Sequence, residues 1–425
     1  MTIRMTTTTT TPMNRLYAFL FLASISASEK VRYDGYKLYK VHVDNRDNLN
    51  ALTNMQEDED YNFWDLPRMN DSSLIVVAPK RIDEFEKIVN SNRMSATLMM
   101  DDLQRYIDEE NPNVDGRATF DWTAYHRLNV IYQWMESLAQ EHSKIVKIVN
   151  GGVSTLGTPI KGLKLCFNSN QNTSIFLESG IHAREWISVA TTTYVANELL
   201  FNEDPAVRTL AESYIWYIFP IFNPDGYEYS HTMNRLWRKN LKRYTTRCKG
   251  VDLNRNWESH WAEVGTSSNP CAETYPGPEA FSEIESKSMS KFLKSIPEKL
   301  TAYLAFHSYS QLLLIPFGHS NERIDNYDDL MEIGKFSVKA LSKRYGTDYT
   351  VGNIVDVIYA AAGGSMDWVR VAIGPRITYT YELRDKGRYG FLLPANQIIP
   401  TGEETMDSLI GMFQKALDLG YGSQS

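Results

Sequence analysis

Residues 179–186 read Ser-Gly-Ile-His-Ala-Arg-Glu-Trp and follow the apolar run Ser174–Leu177. His182 and Glu185 are spaced so that an imidazole and a carboxylate can reach one point. Two histidines and one carboxylate, with a fourth position left for water, make a catalytic zinc set, and imidazole with carboxylate suits that borderline ion. Taken alone, His-x-x-Glu is a weak signal and reads first as a solvated polar turn. His307 ends the run Ala302–Phe306, and Glu382 ends Ile377–Tyr381. A lone histidine there is ordinarily a core or edge residue, and Glu382 has Arg384 and Arg388 as ordinary partners. The positions agree, however. In open α/β sheets ligands bind at the carboxyl ends of strands, and all four residues follow strand-like runs. If those runs are neighbours in one sheet, the four side chains converge.

A second theme is arginine. Asn234-Arg235-Leu-Trp-Arg238-Lys follows the turn Asn223-Pro-Asp-Gly226, and Asp252-Leu-Asn254-Arg255-Asn-Trp257 comes soon after. One reading is a solvated basic face. The other is a clamp, because guanidinium pairs with a carboxylate through two parallel hydrogen bonds.

Alternating elements must position these groups. Between residues 36 and 100 the pattern gives strands at Tyr36–Val43, Ser73–Ala78 and Ser95–Met99. Helix stripes run through Leu49, Leu52 and Met55 and through Ile82, Phe85, Ile88 and Val89. This predicts a small sheet with two helices on one face. The stretch 108–117 is polar and broken by Pro112 and Gly116, and reads as an exposed linker. Arg117 offers a basic cleavage point there, or the stretch is only a linker. From 118 onward, helical patterns at 125–139, 188–200, 278–293, 328–344 and 403–419 alternate with strand-like runs at 174–177, 214–222, 300–306 and 376–381. The class expected is α/β, with a mixed, mostly parallel central sheet and helices on both faces.

The chain has 425 residues, enough for two domains. A net charge of −8 argues against nucleic-acid binding, which needs a basic footprint. Arg15, the apolar stretch Leu16–Ile25 and the small residues Ser26-Ala27-Ser28 have the order of a secretory signal. The stretch is about ten residues, short of the roughly 20 that span a bilayer. Met13 is an alternative start, and cleavage is expected near Ala27. The mature chain is expected outside the cell, without a membrane anchor. The sequons Asn70-Asp-Ser72 and Asn172-Thr-Ser174 fit that route. Of three cysteines, Cys248 and Cys271 can close a modest loop in an oxidising compartment, and Cys166 reads as a small buried hydrophobe. No Cys-x-x-Cys pair exists for a cysteine zinc site.

Six motifs together resemble one family. They are Gly180-Ile-His182-Ala-Arg184-Glu185-Trp; Arg235-Leu-Trp-Arg238; Asn254-Arg255-Asn-Trp; His307-Ser-Tyr309-Ser-Gln; Ile358-Tyr359 with Gly363-Gly-Ser-Met366-Asp-Trp; and Tyr381-Glu382-Leu-Arg-Asp. In order and approximate spacing they resemble the zinc carboxypeptidases of the pancreatic A/B type, over about residues 30–420. The resemblance implies one zinc ion on His182, Glu185 and His307. It implies Glu382 as general base and Arg238 as stabiliser of the oxyanion. Asn254, Arg255 and Tyr359 would hold the substrate's free C-terminal carboxylate, and Arg184, Tyr309 and Phe391 would contact the peptide. Cys248 and Cys271 match the family's disulfide.

The family's discriminating pocket position corresponds to Met366. An acid there would select lysine or arginine. Methionine cannot neutralise a buried cation, whose unpaired burial costs several kcal/mol. With Leu314, Ile354 and Thr380 as neutral wall, aromatic or aliphatic C-terminal residues are expected. The resemblance also implies a zymogen: signal 1–28, an inhibitory α+β pro-domain with its activation linker over 29–117, and a catalytic domain over 118–425. A trypsin-like protease would cut after Arg117. A monomer acting on peptide or protein C-termini is expected. A non-catalytic relative would lack the base or a ligand, and an aminopeptidase would need an acid where Arg255 stands.

Overall fold

The computed structural model describes residues 29–56, 58–112 and 119–421. The signal-like segment 1–28 and Arg117 lie outside the described residues. The first unit comprises β1 (Lys37–His42), α1 (Arg46–Met55), β2 (Tyr61–Phe63), β3 (Ser72–Val77), α2 (Ile82–Ser91), β4 (Ala96–Met100) and α3 (Leu103–Glu109). Its strands form an antiparallel sheet in the order β2-β3-β1-β4. Alternation along each strand sends side chains to opposite faces. Tyr39, Val41, Ile75 and Val77 pack with Leu52, Phe85 and Val89 from α1 and α2. Leu38, Leu74, Val76 and Met100 turn the other way and pack with Leu236, Tyr309, Phe391 and Leu392. The small sheet is therefore a layer between its own helices and the larger unit.

That unit comprises α4 (Leu128–Glu141), β5 (Val146–Val153), β6 (Pro159–Leu165), β7 (Thr173–Ser179), α5 (Trp186–Phe201), α6 (Pro205–Ser213), β8 (Ile215–Phe219) and α7 (Pro224–Thr232). It continues with α8 (Ile284–Ser295), β9 (Lys299–Ser308), β10 (Leu312–Ile315), α9 (Tyr327–Tyr345), β11 (Thr350–Asn353), α10 (Ile354–Val357), α11 (Ser365–Ala372), β12 (Ile377–Leu383) and α12 (Ile398–Asp418). Eight strands join in the order β11-β10-β12-β9-β7-β8-β6-β5. The centre is parallel: β7 pairs β8 and β9, and β9 pairs β12, all in parallel. β10 against β12, and β6 against β8 and β5, are antiparallel, so the sheet is mixed.

Both faces are covered. Leu177, Leu304, Ile377, Tyr379 and Tyr381 meet α4, α5, α9 and α12 on one side. Phe176, Tyr303 and Ala305 meet α8 and α11 on the other. By the same alternation, His307 and Glu382 project on the α11 face, and the β9–β12 register sets them side by side.

The helical pattern at 278–293 starts later than its apolar spacing suggests, at Ile284. The Asn256 side chain donates to Pro276 O and Glu279 O and accepts from Glu283 N, so 276–283 stays a loop. β10 and β11 have four residues each and carry too short a pattern to be read from sequence.

One ion pair ties the linker to the larger unit. Arg235 and Glu110 are each 2% exposed. Arg235 Nε donates to Glu110 Oε1 at 2.5 Å and Nη2 to Oε2 at 2.9 Å. The same guanidinium donates to Arg184 O and Phe391 O and lies over the Trp186 ring. Removing one partner of a buried pair strands the other charge. Glu110→Ala is expected to destabilise the uncut chain by about 3 kcal/mol, read as a lower urea midpoint.

Candidate metal centre and substrate cavity

β7, β9 and β12 end on one edge of the sheet, and three of the four candidate residues meet there in direct contact. His182 Nδ1 lies 2.8 Å from Glu185 Oε1 and 3.1 Å from His307 Nδ1. His307 Nδ1 lies 3.1 Å from Glu185 Oε2. One ligand atom from each falls within 4.8 Å of the others, and all three residues are buried. The turn that presents them needs a left-handed residue at Gly180, with φ +64°. Two imidazole nitrogens and a carboxylate converging on one point fit a zinc ion.

Electrostatics explain why the cluster holds. Burial pushes the Glu185 carboxyl up, but His182 and His307 outweigh it and hold Glu185 ionised. Burial pushes His307 down, and Glu185 raises it to about 9. These groups share protons that a divalent cation displaces on binding.

Behind His182 stands Asp252. His182 Nε2 lies 3.0 Å from Asp252 Oδ1, which leaves Nδ1 for the metal. Burial opposes the Asp252 charge, yet Arg238, His182 and Arg255 hold it well below the usual carboxylate range. Arg238 donates to Asp252 Oδ2 through Nε at 3.1 Å and Nη2 at 2.8 Å. Its Nη1 is 4.0 Å from Glu185 Oε1, at the edge of the cavity.

Glu382 is half-buried beside His307. Burial and the charge of Glu185 push its carboxyl up to about 8, against the opposing pull of His307 and Arg238. Arg384 does not pair with it, because its guanidinium is taken by Glu404.

A cavity of about 330 Å³ opens from the cluster. His182, Glu185, Arg238, Asn254, Arg255, His307, Tyr309, Tyr359, Met366, Glu382 and Phe391 all line it, as do Leu314, Ile354 and Thr380. Arg184 stands one layer back, 4.1 Å from the Phe391 ring centre and 3.3 Å from Glu273 Oε2. Gly363, at φ +73°, brings the Tyr359 loop against Arg255, where an added Cβ would sit 2.3 Å from Arg255 O. Cys248 and Cys271 are disulfide-bonded, and Cys166 is free and half-buried.

The first unit closes the cavity. Trp64, Asp65, Leu66, Arg68 and Asp71 line it from above. Tyr309 OH donates to Asp65 Oδ2 at 2.7 Å. Trp64 packs edge-on against Tyr309 and Phe391. Arg68 donates to Ile358 O, beside Tyr359. Sequence reasoning missed Asp252, Glu273 and this set. Asp252 stood in a quoted motif, but an acid in a loop carries no sign of its partner.

A hydrolase that uses a divalent ion is the class this sheet edge and donor set define. Residues 131–408 match the zinc carboxypeptidase family, and residues 39–110 match the carboxypeptidase activation peptide. The chain belongs to the zinc carboxypeptidase family and is a zinc metallocarboxypeptidase in zymogen form. Zinc carboxypeptidase A 1 of Anopheles gambiae is 47% identical over 405 residues, 94% of this chain and 93% of that protein. Zinc carboxypeptidase A 1 of Drosophila melanogaster is 43% identical over 420 residues, covering 96% and 97%. The crystal structure of thrombin activatable fibrinolysis inhibitor superposes with TM-score 0.85 at 28% identity, over 91% of this chain and all of that one.

Asp252 fixes which nitrogen of His182 faces the metal. Asp252→Ala is expected to weaken zinc binding by about 10- to 100-fold, measured by competition with a chromogenic chelator.

Proposed function

We propose that the activated chain hydrolyses the C-terminal peptide bond of peptides and proteins and prefers an aromatic or aliphatic last residue. The observation that carries this is one shared cavity. The metal donors and Glu382 line it together with Asn254, Arg255 and Tyr359. A guanidinium that meets the terminal carboxylate at a set distance from the metal selects the last peptide bond, since an internal bond offers no such charge. Zinc, when bound, supplies a Lewis acid that polarises oxygen and lowers the pKa of water to about 7.

The chain's own groups do the rest. Glu382 takes a proton from the attacking water and delivers it to the leaving nitrogen. Burial already keeps this carboxyl from being a weak base. Arg238 is anchored to Asp252 through Nε and Nη2, which leaves Nη1 for the developing oxyanion.

The pocket wall of Leu314, Ile354, Met366 and Thr380 supports an apolar side chain. Thr380 Oγ1 lies 3.4 Å from Met366 Sδ. One observation favours a basic residue instead. Asp367 borders the cavity, and its Oδ1 has no partner among the described residues. Its Oδ2 is engaged by Gly318 N–H at 2.8 Å and by His319. The assay is direct: trypsin treatment, then release of C-terminal Phe, Leu, Arg and Lys, with and without a zinc chelator. Faster release of Phe or Leu, abolished by the chelator, is expected. Faster release of Arg or Lys overturns the preference. Met366→Asp is expected to lower the Phe-to-Arg ratio at least tenfold, because it supplies the missing counter-charge.

The layer formed by residues 37–109 is read as the inhibitory cap, released after cleavage at Arg117 by a trypsin-like protease. The leader pattern over 1–28 supports a secreted zymogen. Among the described residues no helix is long and apolar enough to cross a membrane.

The cap carries its own pH dependence. Burial of Asp65, a cap residue, against the larger unit raises its carboxyl to about 6, although Tyr309 opposes the shift. A group raised in the bound state favours binding below its free value of about 4. That contribution fades as pH rises through about 6. After cleavage, the cap is expected to dissociate roughly tenfold more readily at pH 8 than at pH 5. Retention on gel filtration measures this, and Asp65→Asn flattens the dependence.

A further inference from the structure

Glu178 is a buried carboxyl that the mechanism does not use. It lies on β7, four residues before His182, with none of its surface exposed. It points to the α11 face, the same face as His307. Two hydroxyls converge on its Oε1: Tyr303 OH at 2.7 Å and Ser365 Oγ at 3.1 Å. Its Oε2 has no partner among the described residues. Burial pushes its carboxyl above the usual carboxylate range, and the nearby His307 opposes that shift. A carboxyl so placed is costly to keep, and its two donors both come from elements that carry the site. Tyr303 is on β9, four residues before His307. Ser365 opens α11, and the next residue is Met366.

Ser365 makes a second contact. Its N–H donates to Asn254 Oδ1 at 2.9 Å. An amide whose oxygen is engaged turns its NH2 the other way. Asn254 N–H is in turn held by Asp252 Oδ1 at 2.9 Å. Both ends of Asn254 are thus tied: the backbone to the carboxylate behind His182, the side-chain oxygen to the residue that Glu178 holds. An amide with its oxygen occupied presents donors, the polarity that a substrate carboxylate requires.

We infer that Glu178 is a positioning residue for recognition of the substrate's C-terminal carboxylate, acting through Ser365 to fix the orientation of the Asn254 amide. The inference rests on the reading of Asn254 as part of the carboxylate clamp. It assigns to one buried side chain the alignment of the clamp with the start of the helix that bears Met366.

The test uses the activated enzyme and a blocked dipeptide with a C-terminal Phe. Ser365→Ala is expected to raise KM about tenfold with kcat within a factor of two and one zinc per chain. The Ki of 3-phenylpropanoate, a carboxylate probe of the same clamp, is expected to rise in parallel. Glu178→Gln keeps the acceptor oxygen and is expected to change KM less than Glu178→Ala. In an Asn254→Ala background, Ser365→Ala is expected to add nothing further, whereas a merely structural role adds its full effect. If Asn254→Ala raises KM but Ser365→Ala and Glu178→Ala leave it unchanged, the inference is overturned and the clamp stands. If Asn254→Ala itself leaves KM unchanged, the clamp reading falls and the inference with it.

Discussion

Glu185 sits between two imidazoles with almost none of its surface exposed. A carboxylate there is unstable by several kcal/mol unless cations answer it. His307 reaches it from β9, and His182 from the turn that follows β7, the strand next to β9 in the sheet. The requirement propagates outward. His182 turns its remaining nitrogen to Asp252, and Asp252 needs Arg238 to stay ionised in the interior. The site is thus a nest of alternating charges, each stable only because the next is present. A divalent ion completes it, which is why the donor set and the fold cannot be separated.

The same alternation prepares the groups for chemistry. Arg238 is immobilised through two of its nitrogens, so under the proposed function little ordering entropy would remain to be lost if the third met substrate. Glu382 is half-buried, and desolvation with the charge of Glu185 makes it a stronger base than an exposed glutamate. Two glutamates a strand apart in space, Glu185 and Glu382, are driven in opposite directions by what surrounds them.

The first unit covers the cavity that the metal donors and Glu382 line. Tyr309 and Phe391 line the cavity and also pack against Trp64. Arg235 holds the carbonyls of Arg184 and Phe391 and, through Nε and Nη2, the Glu110 carboxylate. Covering the cavity therefore engages the same side chains that line it. The small sheet can afford one apolar face toward the larger unit because α1 and α2 bury the other.

Much of this was legible from residue order. The run Ile377–Tyr381 followed by Glu382, and the run Ala302–Phe306 followed by His307, marked strand ends, and the six motifs carried the family. Strand periodicity is local, so it survives in one dimension. The two four-residue strands β10 and β11 were not legible, since four residues carry too little pattern. The helix start at Ile284 was hidden as well, because the side chain of Asn256 competes for the preceding backbone. What only the tertiary structure decided is partnership. That Asp252 answers His182, that Asp65 reaches Tyr309, and that Glu178 holds Ser365 depends on sheet order and close packing. A charged side chain shows its need for a partner in the sequence, but the partner is chosen by which strands lie side by side.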